Sequence, residues 1–334
     1  MIYIGMDIHK YFIQGVAIDE RGRKVEELKF KNELEEIERF VRRFGFEVKV
    51  AIEGTFGWQH VYEVLEYLKV ETKLVNVRRT KVIAESKIKT DKLDALSIAQ
   101  CLRTGFIAEA YAPKPEIRKI RDIVRHMLSL KREVKRIKNK IHSILLKNGI
   151  KHGFTDLFGK AGTEFLKKVK LREQDRYRLD SYLRILNSLN KEVNETAERI
   201  NKISKADKQA MLLTTIPGIS YYSALLIIAE IGDINRFKSA EKLCSYAGLV
   251  PRVIQSGNHI HHGKLIKECD QNLKWILTQC AHVHVRCCNS KITKHYRKVK
   301  KKRGNNKAII AAARELLVSI YYMLMRNGPF KING

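Results

Sequence analysis

The sequence predicts a mixed α/β domain at the N-terminus followed by a long, mostly helical remainder. Short apolar runs bounded by turn residues crowd the segment before residue 112. Beyond it, apolar residues recur in steps of three and four over long stretches. A Pro-Gly turn between two apolar helical runs then opens the last third. These observations divide the chain into residues 1–112, 113–205 and 206–334.

Ile2–Asp7, Phe12–Ile18 and Val25–Phe30 read as three successive strands, joined by turns at Asp7–Tyr11 and Asp19–Gly22. Glu33–Phe44 reads as an amphipathic helix with Leu34, Ile37, Phe40 and Val41 on one face. Strand Val48–Glu53, helix Trp58–Leu68 and strand Thr72–Val75 follow, and Arg78 to Leu102 is largely helical. A β-meander followed by alternating helices and strands is the order of an RNase H-like fold. In that fold the first and fourth strands are neighbours, which would set Asp7 beside Glu53.

In the second region, Ile120, Ile123, Met127, Leu130, Val134, Ile137, Ile141 and Ile144 form a heptad-like seam. Gly149 and Gly153 end it, and a second seam runs through Leu179, Tyr182, Leu186, Leu189, Val193 and Ile200. The expectation is a coiled-coil stalk, either a hairpin within one chain or a pairing between subunits, with Lys- and Arg-rich outer faces. In the third region, Leu212–Leu226, built around Ile216-Pro-Gly-Ile219, resembles half of a helix-hairpin-helix, whose turn can present amides to a phosphate. Its bland alternative is an ordinary packing unit. Tyr246–Asn258 reads as a polar, Gly-containing loop, and Lys294–Arg303 as a basic run suited to phosphate contact.

The chain has 334 residues, 44% of them hydrophobic, and 65 Lys and Arg against 36 Asp and Glu, a formal net charge of +29. That excess calls for a polyanionic partner. The N-terminus is already a strand with no basic leader, and Ala308–Met325, the best candidate for a membrane span, carries Arg314 and Glu315 at its centre. Nucleic acid is therefore the expected partner and the cytoplasm the expected location. The six cysteines form no C-x-x-C pair and are expected to stay reduced. Cys280–Cys288 tempts a zinc reading, but its spacing fits no common zinc module and continues a helical pattern.

Within so basic a chain, four acids stand out. Asp7 and Glu53 close two strands, while Asp91 and Asp94, three apart, begin a helix and share one of its faces. Two strand ends and one helix can aim all four at a point. Carboxylates gathered around hard divalent cations are a standard device for cleaving phosphodiesters, with Mg²⁺ or Mn²⁺ as the expected ion. Any one of these acids alone would be read as a turn or capping residue.

Three N-terminal segments, Gly5-Met-Asp-Ile-His-Lys10, Ala51-Ile-Glu-Gly-Thr55 and Lys89-Thr-Asp-Lys-Leu-Asp-Ala95, occur in order with Ile216-Pro-Gly-Ile219, Ser245-Tyr-Ala-Gly-Leu-Val-Pro251, Gln255-Ser-Gly257 and Lys302–Ile310. Together they resemble the insertion-sequence transposases of family one-ten, whose N-terminal domain is RuvC-like. The resemblance implies a DNA recombinase guided by a structured bridge RNA that pairs with the element ends and with the target. It implies that Asp7, Glu53, Asp91 and Asp94 are the metal-holding acidic tetrad, and that Ser256 is the nucleophile. It further implies a composite site between subunits of a tetramer in a prokaryotic, nucleoid-associated protein. The segment Gly263-Lys-Leu-Ile-Lys-Glu-Cys269 departs from the family's Gly-x-Ile-Thr-Lys-x-Gly run, and Asn258-His-Ile-His-His262 before it is also unusual. Two rivals share many of these features: a metal-dependent junction nuclease that needs no serine, and a nucleic-acid-binding derivative without catalysis.

Overall fold

A computed structural model describes residues 1–55, 57–76, 90–256 and 259–332, with only the backbone for 253–256 and 259–262. The chain divides into two compact units, Met1–Ala112 and Pro113–Gly334.

The first unit is a six-stranded sheet in the order β3-β2-β1-β4-β5-β6. The strands are β1 (Ile2–Ile8), β2 (Phe12–Ile18), β3 (Lys24–Lys31), β4 (Val48–Glu53), β5 (Glu71–Val75) and β6 (Glu109–Ala110). β1, β2 and β3 form an antiparallel meander, whereas β4 runs parallel to both β1 and β5. The first and fourth strands are thus neighbours, as an RNase H-like order requires. The short edge strand β6 has no counterpart in the sequence reading.

Successive side chains alternate between the faces of a strand. Ile4, Met6 and Ile8 of β1, with Val50 and Ile52 of β4, pack under helices α1 (Leu34–Arg42) and α2 (Trp58–Tyr67) through Ile37, Phe40, Val61 and Leu65. Leu34, expected on the buried face of α1, is instead 41% exposed because it opens the helix. The opposite sheet face carries Tyr3, Val16, Ile18, Ala51 and Val75 and is covered by α3 (Asp91–Thr104) through Ala95, Ile98, Ala99 and Leu102. The N-terminal part of the helix expected over Arg78–Leu102 lies outside the described residues, up to Lys89.

The second unit is mostly helical. It contains α4 (Pro115–Lys147), α5 (Lys160–Lys168), α6 (Glu173–Ala206), α7 (Lys208–Thr214), α8 (Tyr221–Ile231), α9 (Ala240–Tyr246), α10 (Gln271–Cys287), α11 (Lys291–Arg303) and α12 (Asn305–Arg326). The two longest, α4 and α6, pack as an antiparallel hairpin within the chain. At its far end, Ile137, Ile141, Ile144 and Leu145 of α4 meet Leu179 and Leu186 of α6 and Leu166 of α5. There Asp175, almost fully buried, accepts hydrogen bonds from Lys147 Nζ at 3.1 Å, Asn148 Nδ2 at 3.0 Å and Arg178 Nη1 at 3.2 Å. At the near end, Val124, Met127 and Leu128 of α4 and Ile200 of α6 enter a larger core with α7, α8, α9, α10 and α12. Val124, Leu128 and Leu145 are buried beside the expected seam. The apolar stripe is therefore wider than a two-position coiled-coil seam, because α8 packs against α4 as well.

Helix α12 is long and apolar enough to cross a membrane by length and composition alone. More than half of its apolar window is buried in the C-terminal core, with Ala312, Ala313, Leu316, Leu317 and Ile320 fully enclosed.

Candidate metal centre and serine hairpin

The sheet and α3 together bring acids to one place. In the β1–β4 ladder Met6 pairs with Ile52, so Asp7 and Glu53 occupy the next row, on the face that α3 covers. Gly5 makes the close approach of that helix possible. A Cβ at this position would lie 2.1 Å from the Ala95 carbonyl oxygen and 2.6 Å from the Ala99 nitrogen. Thr90 caps the helix, its Oγ1 accepting from Leu93 N at 3.2 Å, which puts Asp91 and Asp94 in the first turn. The partial positive charge of a helix N-terminus favours carboxylates there.

Asp7 is only 7% exposed. His9, on the turn after β1, folds back so that Nε2 lies 3.2 Å from Asp7 Oδ2 and 3.4 Å from Asp91 Oδ2. One ligand atom from each of Asp7, His9 and Asp91 falls within a 4.8 Å cluster. Glu53 and Asp94 are half-buried near the same end and stand outside that triplet. Burial pushes the Asp7 carboxyl above its ordinary range, His9 beside it pulls the value back, and the Asp91 and Asp94 charges raise it further. Carboxylates crowded so closely resist ionising together unless a cation joins them. The donor set, hard oxygens with one imidazole nitrogen, suits a divalent ion such as Mg²⁺ or Mn²⁺.

Ser256 belongs to the second unit. Tyr246–Asn258 is not a plain loop. Pro251–Ser256 forms β7, which pairs antiparallel with β8 (His259–Leu265), and Ser256 stands opposite His259 at the tip. Gly257 and Asn258 lie outside the described residues. The base of this hairpin is clamped. Asp270 N donates to Tyr246 O at 3.0 Å, and Tyr246 Oη donates to Asp270 Oδ2 and to the Glu230 carbonyl, both at 3.3 Å. Behind them Glu230, fully buried on α8, accepts from Arg125 Nε at 2.9 Å, Arg125 Nη2 at 2.6 Å and Asn272 Nδ2 at 3.0 Å. Burial alone would raise the Glu230 carboxyl, but Arg125 and Arg121 more than offset it and hold the value below the usual range. Asp270 is raised, first by burial and then by Glu230.

Other segments read from the sequence take definite places in the second unit. The Ile216-Pro-Gly-Ile219 turn packs inside the unit: a Cβ on Gly218 would lie 2.8 Å from His284 N, and His284 Nδ1 donates to Pro217 O at 2.7 Å. One side of the turn is thus a packing surface, while Pro217 and Gly218 stay partly exposed and Ser220, at the start of α8, is exposed. The second ring nitrogen of His284 meets Ser290 Oγ at 2.7 Å, so hydrogen bonds occupy both ring nitrogens of this histidine in the Cys280–Cys288 stretch. The basic run Lys294–Arg303 lies in α11, a helix with Lys300, Lys301, Lys302 and Arg303 exposed in its last turn.

His9 is the site residue to which sequence reasoning assigns no role, although it sits within the Gly5–Lys10 signature. Its histidine-two-after-aspartate spacing was the available signal.

A sheet ending in clustered acids, in a chain that also carries a large helical unit, fits a DEDD-type transposase, a DNA-processing enzyme, and the family matches establish that class. Residues 4–148 match the transposase domain of the IS110-type DEDD profile, and residues 210–297 match the profile described as "Transposase IS116/IS110/IS902 family". The chain belongs to the IS110 family of insertion-sequence transposases. It is 24% identical to the transposase for insertion sequence element IS1111A of Coxiella burnetii, over 98% of this chain and 91% of that protein. It is 26% identical to the transposase for insertion sequence element IS1328 of Yersinia enterocolitica, over 71% of this chain and 70% of the relative. A pilin gene-inverting protein of Moraxella bovis is 35% identical over 39% of this chain and 41% of its own length.

Proposed function

We propose that this transposase cuts and rejoins DNA through a phosphoserine on Ser256, using a divalent ion held by Asp7, Glu53, Asp91 and Asp94, with a bridge RNA choosing the sites. The observation that carries this reading is the gathering of Asp7 and Asp91 at the end of the β1–β4 ladder, with Glu53 in the row of Asp7 and Asp94 in the same first turn as Asp91. A cation bound there would polarise the scissile phosphate and help the attacking hydroxyl shed its proton. Asp7, held ionised by such an ion, anchors the site on the rigid strand, while Asp91 and Asp94 close it from α3.

Ser256 attacks phosphorus. An Oγ–P bond replaces one P–O bond to deoxyribose, and the leaving DNA hydroxyl takes up the proton. The exchange is ester for ester, so the bond energy is kept for rejoining to another strand, which water as nucleophile would forfeit. Break-and-rejoin chemistry also suits likeness to a relative named as gene-inverting. Guide pairing reads sequence while the basic surfaces, including α11, hold backbone and shape, in a dimer or tetramer in the prokaryotic cytoplasm.

A covalent-trapping assay tests the proposal. Protein, element-end DNA, RNA transcribed from the element's flank and Mg²⁺ are resolved on a denaturing gel. A protein–DNA adduct is expected from the parent and from neither Ser256→Ala nor Asp7→Ala. Cleavage without an adduct, unchanged in Ser256→Ala, would instead identify a junction nuclease. Nucleic-acid binding that survives tetrad substitution, with no strand ever cut, would identify a non-catalytic binder.

A further inference from the structure

His9 is held as a ligand would be. Its backbone N donates to Phe12 O at 2.9 Å, and its carbonyl accepts from Asn32 Nδ2 at 3.0 Å. The imidazole stacks on the Phe12 ring, with centroids 4.3 Å apart and planes 21° from parallel. Backbone and ring plane are thus both fixed, and Nε2 is aimed between two carboxylates. The side chain remains 38% exposed, so an ion can reach it from solvent.

The spacing also fits. Adjacent ligands of an octahedral ion with bonds of ~2.1 Å are separated by ~3.0 Å. Nε2 lies 3.2 Å from Asp7 Oδ2 and 3.4 Å from Asp91 Oδ2, a few tenths of an ångström wider than such edges. Small side-chain rotations close the difference.

We propose that His9 is a direct ligand of the divalent ion shared by Asp7 and Asp91, and that it shifts the preference of this centre from Mg²⁺ toward Mn²⁺. The inference rests on reading the acidic cluster as a metal centre. An all-carboxylate site suits Mg²⁺, which prefers hard oxygen donors. Substituting one imidazole nitrogen favours first-row transition ions, Mn²⁺ included, over Mg²⁺. The competing role for the same geometry is a hydrogen bond that merely orients Asp7.

The test uses the full chain without nucleic acid. Mn²⁺ is titrated while free ion is followed by electron paramagnetic resonance, Mg²⁺ is added as competitor, and bound Mn²⁺ is probed for ¹⁴N coupling by electron spin-echo modulation. Parent, His9→Ala and Asp7→Asn are compared after thermal melts confirm that each is folded. The parent is expected to bind Mn²⁺ with imidazole ¹⁴N coupling. His9→Ala should lose that coupling and at least about tenfold in Mn²⁺ affinity, no less than the loss of an outer-shell partner costs. Its Mg²⁺ affinity should change far less. Unchanged ¹⁴N coupling in His9→Ala, or equal losses for both ions, would overturn the ligand role. Absence of any Asp7-dependent Mn²⁺ binding in the parent would overturn the metal-centre reading itself.

Discussion

Gly5→Ala is the smallest change that should uncouple the two halves of the acidic site. The added methyl would lie 2.1 Å from the Ala95 carbonyl oxygen and 2.6 Å from the Ala99 nitrogen, both backbone atoms of α3 that cannot rotate away. Reaching ordinary contact at 3.4 Å requires the helix to retreat by roughly 1.3 Å, the difference between 2.1 and 3.4 Å. Overpacking of a tight interior costs about 1–3 kcal/mol, and a backbone obstacle on two sides puts this case near 3 kcal/mol. Asp91 and Asp94 ride on α3, so they withdraw from Asp7 with it. A misplacement of about 1 Å in a catalytic constellation costs on the order of 100-fold in rate. Urea unfolding and a strand-cleavage assay should therefore fall together. Gly153→Ala, where a Cβ meets nothing within 4 Å, is the control and should stay within about 0.5 kcal/mol of the parent. If Gly5→Ala matched that control in both assays, α3 could not cross β1 as closely as described.

Other perturbations have equally definite outcomes. Arg125→Ala strips the buried Glu230 of its bidentate partner and should cost about 3 kcal/mol in urea unfolding, the low end for a broken buried pair because Arg121 remains 3.5 Å away. The pH dependence should change sign as well. In the parent, Glu230 lies below its ordinary value, so its contribution is present above that value and lost as pH falls through the lowered one. In Arg125→Ala burial dominates, and acidification should recover stability. Asp175→Asn should lower the urea midpoint at pH 7. Asn148 and Lys147 hold the Asp175 carboxyl below its ordinary value near 4, so the difference should persist above that pH and vanish as pH falls through the lowered value. Chelation of divalent ions should abolish cleavage while leaving the thermal melt nearly unchanged, since the apolar layers around the sheet do not depend on a cation.

The sheet is legible in the sequence because its strands alternate residues between two buried faces and are separated by clear turns. Asp7 and Glu53 can be set in one row from strand order, since neighbouring parallel strands end in register, whereas the approach of Asp91 to Asp7 depends on how closely α3 crosses β1. His9 cannot be placed this way, because its direction depends on a tight turn and on stacking against Phe12. β6, two residues long, offers no pattern to read. The β7–β8 hairpin is hidden by a polar, His-rich second strand, although Gly257-Asn258 is a fair two-residue turn signal. α11 lacks an apolar stripe and passes for a charge run. Its Lys and Arg residues are good helix formers, and Ser290 caps it by accepting from Thr293 N at 3.3 Å. The seams of α4 and α6 are plain, but the partners of α4's near half come from distant helices and only the folded unit reveals them.

The hairpin of α4 and α6 also has a mechanical consequence. α4 runs unbroken for 33 residues, roughly 50 Å at ~1.5 Å per residue, with one core at its root and another at its tip. The Asp175 clasp binds the two rods at the tip, so they bend as one beam. A tilt of roughly 10° at the root, around Met127, would sweep the tip about 20 residues (~30 Å) away through about 5 Å, roughly half the spacing between two packed helices. Small adjustments in the packing of Val124, Met127 and Leu128 would thereby be amplified into displacements of about half a helix spacing at the outer end of the beam.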